Sequence, residues 1–581
     1  MLKMNISIQL KKAQKLCQEH KFNLAKDIYE KILISWPNQI EALQNLSMIY
    51  IRQNDLGGAE KIFDKLYFLI KDKNTLINYS LLKLNLGKFT EVVKVSKENE
   101  HIDELKINAI RALRNLKKSQ ECLDLIQKYE EINKLNFHLI IEKTFVLNQL
   151  NQYKESIQLL QENFEKFMNN EDLFYINLGI CYQNENQDIK AIESFKKIFK
   201  DSKFYTESQV QIGKSLSKLE QLEELEDLIK QQSDNTIRSS LFTFAAEEYY
   251  EQQNLTKSLE CYKSAINLNP ENYDALTGTA ELYLKEQKYD EGFDYWRWRV
   301  RKGLKLNKRF FVDDTEINHI DKFNKINLLA EQGIGDELFY IRLIQILPNK
   351  IREKVRLFVD QRLIEVIKEN ISDIEIFNID EYKINNLSDE VTLNCGSLPR
   401  FIDINQKSLR EIKKFEIKET FKLDRIGKRI GVSWISKNDQ LEKFKSVSLS
   451  KIMESLPNDV SFQVLNLQYG DVSHEIAEIN KTGRNDIYQA KYDLYNEISK
   501  LFELVSKCDV VITVCNFTAH VAGSLGIKTY VLIPKNKGRL WYWYGEKSDW
   551  YESVEYIHQS RDGDWDNVMK ELSEKLRIKF S

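Results

Sequence analysis

The segment 507–534 carries a threonine and a histidine directly after an apolar run. The β-branched run 510–514 predicts a buried parallel strand, and the small residues that follow the next turn favour a helix. Backbone N–H groups at the start of such a helix can hold a phosphate or diphosphate at the carboxyl edge of a sheet. Thr518 and His520 lie in that first turn. They are candidate phosphate ligands, or else His520 bonds a neighbouring loop.

A second polar segment, 329–342, reads LAEQGIGDELFYIR. A strand is predicted to end at Ala330, and we expect Gly333 and Gly335 to form a tight turn that brings backbone close to a ligand. Asp336 then opens the next helix at or near its cap. From these residues alone, helix capping is the ordinary role of Asp336.

Alternating strands and helices predict two α/β lobes around these segments. The predicted strands are 326–330, 355–359, 374–379 and 391–394 in the first lobe, and 429–434, 462–467, 487–489, 510–514, 530–533 and 554–558 in the second. Two doubly wound lobes would bind a ligand in the cleft at the carboxyl ends of their strands.

The first half of the chain repeats with a helical period. Leu43, Leu46, Ser47, Tyr50, Ala59 and Phe63 occupy the small and large positions of the 34-residue tetratricopeptide pattern. Further copies contain Gly179 with Phe195, Ala246 with Tyr262, and Gly292 with Trp296. The pattern is degenerate between residues 76 and 160. Stacked helix pairs of this kind predict an α-solenoid.

These patterns predict four segments. A tetratricopeptide solenoid covers 1–301, and its last helix, 289–301, presents aromatic residues that we expect to cap it against the next domain. A charged, exposed linker follows over 302–322. The first α/β lobe covers 323–424, and the second covers 425–581.

Composition narrows the class of protein. The chain has 581 residues, 42% of them apolar, and a net charge of −3 with 30% charged residues, so neither nucleic acid nor an anionic membrane is an expected partner. The seven cysteines show no metal-ligand spacing and are typical of reduced thiols. No signal sequence or membrane span is predicted, and we expect a cytoplasmic protein without a cofactor or a bound metal.

The strings DVVITVCNFTAHVAGSLG and LAEQGIGDELFYIR together resemble the GT-B glycosyltransferases related to the ADP-heptose transferases, glycosyltransferase family 9. The resemblance is to the bacterial proteins in which such a domain follows tetratricopeptide repeats, and it covers most of 326–572 in motif order. It implies a GT-B fold and transfer of a sugar from a nucleotide-sugar donor, with inversion and without a metal. Heptosyltransferases usually carry Asp-Thr-Gly ahead of the histidine, where this chain has Cys515 and Asn516.

The resemblance also implies roles for individual residues. Asp336 would be the base that deprotonates the acceptor, with Glu331 in reserve, and the acceptor loop would contain Gln332, Gly333 and Gly335. Asn516, Thr518 and His520 would lie under the donor diphosphate. The loop 438–449 would supply Lys445 or Lys443 to neutralise it, and Ser433 and Gln468 would border the donor pocket. The aromatic residues of 540–551 would stack a base or sugar, or else pack the C-terminal helices.

Three functions stay open on this reasoning. The first is a glycosyltransferase with a protein, peptide or glycan acceptor recruited by the repeats. The second is a repeat scaffold for protein partners whose transferase lobes are degenerate, which the replacement at Cys515 and Asn516 favours. The third resembles the tetratricopeptide O-GlcNAc enzymes and differs from the first only in its protein acceptor. The repeats also allow homo-oligomers.

Overall fold

The structure is a computed structural model that describes residues 2–132, 136–302, 312–383, 389–436, 442–458, 460–481, 487–535, 540–561 and 563–581. The chain divides into two compact units, Met1–Glu224 and Leu225–Ser581. The sequence-based boundaries at 301, 322 and 424 stay predictions.

The first unit is built from helices. They are α1 Leu2–Gln18, α2 Phe22–Ser35, α3 Ile40–Arg52, α4 Leu56–Leu69, α5 Lys73–Asn85, α6 Phe89–Glu98, α7 Asp103–Asn115, α8 Ser119–Ile132, α9 Phe137–Gln149, α10 Tyr153–Glu162, a 3-10 turn Phe164–Phe167, α11 Glu171–Asn184, α12 Asp188–Phe195 and α13 Tyr205–Lys218. Helix α14, Leu222–Gln231, contains the boundary between the units.

Helix pairs form because small residues allow large ones to approach. The predicted repeat position Gly179 lies against the ring of Phe195, where a β-carbon would come within 2.3 Å of the ring. Ala25 and Tyr29 of α2 are likewise fully buried, in a core formed with α1 and α3. The prediction of a helical repeat solenoid is confirmed.

A left-handed turn residue marks every repeat, including the degenerate region. Two residues after the first helix of each pair, φ lies between 56° and 72°, and successive positions are 30 to 35 residues apart. These residues are His20, Asn54, Gly87, Lys117, Asn151, Asn186, Glu220, Gln253 and Gln287. Only one of them is glycine, so residue type alone does not reveal the period between 76 and 160.

One face of successive first helices carries an apolar stripe in the first unit. Six residues before the left-handed turn residue stand Met48, Leu81, Arg111, Phe145 and Ile180. Met48 is 45% exposed, Leu81 36% and Phe145 41%. Neighbouring first helices α5, α7, α9 and α11 are in contact in that order, so the positions follow one another along the stack. We call Met48, Leu81, Phe145 and Ile180 the apolar stripe, which the charged Arg111 interrupts.

The second unit begins with two more helix pairs and continues into α/β structure. The two pairs are α15 Asn235–Glu251 with α16 Leu255–Leu268, and α17 Tyr273–Lys285 with α18 Tyr289–Trp296. The 3-10 segment Arg297–Val300 extends α18.

The first sheet is parallel and has the strand order β3-β2-β1-β4. Its strands are β1 Lys325–Leu329, β2 Val355–Val359, β3 Glu375–Asn378 and β4 Glu390–Asn394. Helices α19 Ile334–Arg342, α20 Asn349–Arg352, α21 Ile364–Asn370 and α22 Gln406–Arg410 accompany it, with 3-10 segments Leu343–Ile346, Gln361–Leu363, Ile379–Glu381 and Cys395–Phe401.

The second sheet is also parallel, with the order β10-β9-β8-β5-β6-β7. Its strands are β5 Lys428–Ser433, β6 Phe462–Asn466, β7 Ile487–Tyr488, β8 Val510–Val514, β9 Thr529–Ile533 and β10 Val554–His558. Its helices are α23 Glu442–Lys445, α24 Leu449–Ser455, α25 Ser473–Lys481, α26 Ile498–Ser506, α27 Phe517–Leu525 and α28 Asp566–Phe580. This is the strand order of a doubly wound sheet. The order runs outward in one direction from β5 and in the opposite direction from β8, so it reverses between these two strands.

The segment predicted as an exposed linker is partly buried, which corrects that expectation. Residues 303–311 lie outside the described residues, but Asp314 and Thr315 are fully buried and Ile320 is 5% exposed. The Asp314 carboxylate accepts hydrogen bonds from the backbone N–H of Asn394 at 2.8 Å and from the hydroxyl of Ser397 at 3.1 Å. Residues 312–322 therefore pack against the first lobe rather than standing exposed.

The last repeat packs on the α/β region through aromatic rings, as the sequence predicted for its cap. The Trp296 indole N–H donates to the hydroxyl of Tyr340 at 3.2 Å, and its ring lies 6.2 Å from that of Trp541. The ring centroid of Phe293 lies 5.6 Å from that of Trp541 and 6.4 Å from that of Trp550. These rings share one hydrophobic core with β1 and α19.

Within the described part of the chain, no helix is both long enough and apolar enough to cross a membrane.

Replacing Trp296 with alanine should lower the stability of the second unit by about 3–5 kcal/mol, the cost of a large cavity in a core. Trp298, two residues on, is half-buried and stacks on Tyr273, and is the matched control. Urea unfolding followed by tryptophan fluorescence should show the large loss for Trp296→Ala only. Equal losses for the two variants would contradict the packing described.

Candidate functional site

The candidate site lies at the carboxyl edge of the second sheet, where its strand order reverses. Ser433 ends β5 and Asn516 follows β8, the two strands on either side of the reversal. Connections leave these strands towards opposite faces of the sheet, so a crevice opens between them. The two residues predicted from separate strands therefore come together: the Asn516 amide donates to the Ser433 hydroxyl at 2.9 Å.

Gln468 completes a hydrogen-bond network with these two residues. Its side-chain oxygen accepts from the Ser433 hydroxyl at 3.0 Å and from the backbone N–H groups of Trp434 at 3.0 Å and Ile435 at 2.8 Å. The Asn516 side chain also bonds the carbonyl of Ile435 at 3.1 Å. The network holds the loop after β5 in place. The network uses many of the hydrogen-bonding groups of Ser433, Gln468 and Asn516. The resemblance had implied that these residues bind the nucleotide-sugar.

Asn516 also caps helix α27, whose first turn contains Thr518. The Asn516 side-chain oxygen accepts from the backbone N–H of Thr518 at 3.0 Å, which satisfies one of the free N–H groups of the helix start. The Thr518 hydroxyl is fully buried and has no hydrogen-bond partner among the described residues. A buried hydroxyl without a partner is costly, so this group is available to a ligand at the helix N-terminus.

Lys445 brings a positive charge to the same place. Its side chain is only 8% exposed, and within the described ranges it has no hydrogen bond or ion pair. Burial raises the pKa values of Asp336 and Cys515, and the positive charge of Lys445 opposes that rise at both groups. A nearly buried cation without a carboxylate partner is suited to an anionic ligand. The other candidate, Lys443, has its side chain outside the described residues, as do residues 438–441.

Asp336 lies in the first turn of α19, on the first lobe. One carboxylate oxygen accepts a 2.6 Å hydrogen bond from the hydroxyl of Tyr542, and the other accepts from the backbone N–H of Gly333 at 3.2 Å. The capping role expected from the residues is thus present, together with a tyrosine contact that the sequence did not suggest. Burial raises the pKa of Asp336, against the effect of these bonds and of Lys445.

The turn before Asp336 differs from the expectation. The left-handed residue is Gln332, with φ 64°, whereas Gly333 is the N-cap of α19 and neither Gly333 nor Gly335 has a positive φ. Gly335 is needed for another reason. A β-carbon there would lie 2.9 Å from the Cδ2 atom of His520, so its absence allows α19 to approach α27.

His520 is buried behind this contact and is 3% exposed. Its Nδ1 atom lies 2.9 Å from the hydroxyl of Tyr551. The centroid of its ring lies 4.8 Å from that of Trp543 and 6.1 Å from that of Phe339. Burial, reinforced by the charge of Arg342, lowers the pKa of His520 to about 3. The ring is therefore neutral at ordinary pH, and its predicted contact with a diphosphate stays a prediction.

Glu331, the reserve base, is held in a buried ion pair. Both its oxygens accept hydrogen bonds from the guanidinium of Arg299 at 3.0–3.1 Å, and both side chains are fully buried. Burial raises the pKa of Glu331 to about 7, and the guanidinium opposes this. A β-carbon at Gly396 would collide with the carboxylate. The pair joins the last repeat to the end of β1, and leaves no exposed face on Glu331.

The aromatic residues of 540–551 pack rather than stand open. Trp541, Tyr542, Trp543, Trp550 and Tyr551 are 2–6% exposed. They contact α18 and α19, not the C-terminal helix as one expectation had it, and Tyr542 stacks on Phe339 with centroids 4.7 Å apart. Rings as buried as these form part of the core, which favours packing over a stacking platform for a base or sugar.

A cavity of about 370 Å³ lies beside the site, at the carboxyl ends of β6 and β7. Asn466, Gln468, Gly470, Gln489 and Tyr492 line it. Its volume falls in the range of small-molecule sites. It is adjacent to the crevice because Gln468 belongs to both.

Comparison with known proteins supports the repeats. The family described as "TPR repeat" matches residues 246–287. Protein FlbA of Caulobacter vibrioides is 21% identical over 328 residues, which are 51% of this chain and 54% of FlbA. The chain thus spans about half the length of this curated relative.

Two solved structures are similar to parts of the chain. A tetratricopeptide repeat protein from Parabacteroides merdae is 14% identical, with a TM-score of 0.35 and coverage of 48% of this chain and 98% of its own. YrrB, described as a TPR protein with an unusual peptide-binding site, is 21% identical, with a TM-score of 0.24 and coverage of 32% and 95%. At TM-scores this low, the two structures add no argument about the site.

The neutral His520 makes stability depend on pH. An unfolded histidine takes up a proton near pH 6.5, whereas folded His520 stays neutral until about pH 3, so the folded state loses stability as pH falls from about 6.5. The loss is at most about 1.4 kcal/mol per pH unit. The melting temperature of the wild type should therefore fall more steeply from about pH 7 to about pH 5 than that of His520→Gln.

His474→Gln is the matched control, since His474 is exposed on the same unit. It should follow the wild type. Parallel curves for the wild type and His520→Gln would show that the ring titrates normally.

Proposed function

We propose that the protein is a glycosyltransferase that moves a sugar from a nucleotide-sugar donor to a protein or glycan acceptor. The observation that carries the proposal is the contact of α19, whose first turn carries Asp336, with the first turn of α27. A carboxylate with a raised pKa, a nearly buried cation that has no ion pair among the described residues, and a helix N-terminus suit such a transfer. We assign the two α/β lobes to the GT-B fold on the same grounds. We also propose a cytoplasmic location, which the seven cysteines without metal-ligand spacing favour.

Asp336 is the base in this proposal. It takes the proton of the acceptor hydroxyl as that oxygen attacks the anomeric carbon of the donor, and the bond from that carbon to the diphosphate breaks with inversion. A raised pKa makes the carboxylate a stronger base at neutral pH. Tyr542 and the backbone of Gly333 fix its orientation.

Lys445 and the start of α27 receive the leaving diphosphate. The Lys445 ammonium neutralises the developing negative charge, the Thr518 hydroxyl donates to a phosphate oxygen, and the helix N-terminus favours an anion. The charge comes from the chain itself, so the proposal requires no metal. The adjacent cavity lined by Asn466 and Gly470 takes the nucleoside.

A second candidate function is a scaffold for protein partners. Two observations favour it: the apolar stripe along the first unit, and the internal bonding of Ser433, Gln468 and Asn516. Tetratricopeptide repeats suggest protein–protein interaction in their own right. Under the scaffold hypothesis, the α/β lobes have a structural role only.

The transferase proposal predicts that binding and chemistry are separable. Among UDP, ADP, GDP and CMP, at least one should raise the melting temperature of the full chain, because a ligand of the native state stabilises it. Lys445→Met should abolish that shift. Asp336→Asn should keep it but reduce release of nucleotide from the matching nucleotide-sugar by about 100- to 10,000-fold.

Lys451→Met is the control for charge removal, since Lys451 is an exposed lysine of the same lobe. It should bind as the wild type does. If no nucleotide stabilises the wild type, or if folded Asp336→Asn turns over normally, the transferase proposal fails.

The scaffold proposal predicts that the stripe binds peptides. Peptides selected by phage display on the full chain should lose at least about tenfold in affinity to a Met48→Glu, Leu81→Glu, Phe145→Glu variant, because each charge would be placed at an apolar contact. Phe68→Glu, at an 83% exposed position on a second helix, should bind like the wild type. Unchanged affinity in the triple variant would reject the stripe as the binding surface.

A further inference from the structure

The buried imidazole of His520 is held by two residues to which the proposed transfer assigns no role. Tyr551 places its hydroxyl 2.9 Å from Nδ1, and its ring fits against Gly523 of α27, where a β-carbon would come within 2.5 Å. Arg342, at the end of α19, lies over the Tyr551 ring with its guanidinium carbon 4.3 Å from the centroid. Arg342 is buried and donates to the carbonyl of Trp550 at 3.2 Å.

The direction of the hydrogen bonds follows from what each group can donate. The Arg342 guanidinium lies over the Tyr551 ring, and a cation this close makes the phenol a stronger proton donor and a weaker acceptor. The single proton of the Tyr551 hydroxyl is then available for Nδ1 of His520. The nearby Ser524 hydroxyl uses its own proton on the carbonyl of His520, at 2.7 Å.

A neutral imidazole whose Nδ1 accepts must carry its proton on Nε2. That atom faces the first turn of α19: a β-carbon built at Gly335 would lie 3.4 Å from it. Gly335 immediately precedes Asp336. The Nε2–H group is thereby directed at the turn that carries the candidate base.

We propose that Arg342 and Tyr551 are positioning residues that hold His520 in its Nε2–H tautomer, so that a neutral donor faces the α19 turn beside Asp336. The value of that donor to a substrate oxygen rests on the proposed function. The tautomer itself does not, because the groups that set it all belong to the chain.

The test is nitrogen NMR of the ligand-free full chain labelled with ¹⁵N-histidine. The His520 signals are assigned by their loss in His520→Gln, among the seven histidines of the chain. In the wild type, Nε2 should show the shift of a protonated nitrogen and Nδ1 that of an unprotonated one. Tyr551→Phe keeps the ring that packs on Gly523 and Arg342 but removes the proton donor, and should yield a mixture of tautomers or the Nδ1–H form.

Tyr530→Phe, at another buried tyrosine of the same lobe, should leave the His520 signals unchanged. A wild type with its proton on Nδ1, which would follow if Tyr551 donated to Ser524, overturns the proposal. So does a Tyr551→Phe variant with wild-type signals. If the tautomer is as expected but UDP, ADP, GDP and CMP all fail to bind, the proposed function falls and the positioning role stands.

Discussion

The close approach of helices α19 and α27 is the constraint on which the candidate site depends. Each helix begins at the carboxyl edge of its own sheet, and they can meet only because Gly335 presents no side chain to His520. Their contact brings a carboxylate from one sheet to the crevice of the other. Alanine at position 335 would push the helices apart and separate Asp336 from Lys445, although it would leave both residues in place on their own lobes.

Aromatic rings connect the candidate site to the last repeat. Tyr542 bonds Asp336 and stacks on Phe339, while its neighbour Trp541 lies against Phe293 and Trp296 of the repeat. The base is therefore oriented by a core that the repeat helps to build. This gives a physical reason for the last repeats and the α/β region to form one compact unit.

Much of the fold follows from sequence patterns. All ten strands of the described residues lie within about two residues of their predicted bounds, because fully buried parallel strands such as β8 read as uninterrupted β-branched runs. The repeats between 76 and 160 were harder to predict. The left-handed turn residues there include Lys117 and Asn151, and a buried lysine, Lys83, pairs with Glu60, so residue types reveal less of the repeat pattern.

The site was predictable only in part. Asp336, Ser433, Asn516 and Thr518 follow strands and could be placed at sheet edges by pattern, whereas the partners of His520 and Asp336 come from residues 542–551, far along the chain. Pattern alone cannot show which rings enclose a histidine. For the residues of 540–551, sequence pattern therefore favours ligand stacking as readily as packing in the core.

The most direct test is an experimental structure of the full chain with the nucleoside diphosphate that stabilises it most among UDP, ADP and GDP. We expect the diphosphate between the Lys445 ammonium and the first turn of α27, with a phosphate oxygen within hydrogen-bond distance of the Thr518 hydroxyl. The nucleoside should lie in the cavity beside Gln468. A diphosphate bound elsewhere, or a Lys445 paired with a carboxylate of the chain, would contradict it.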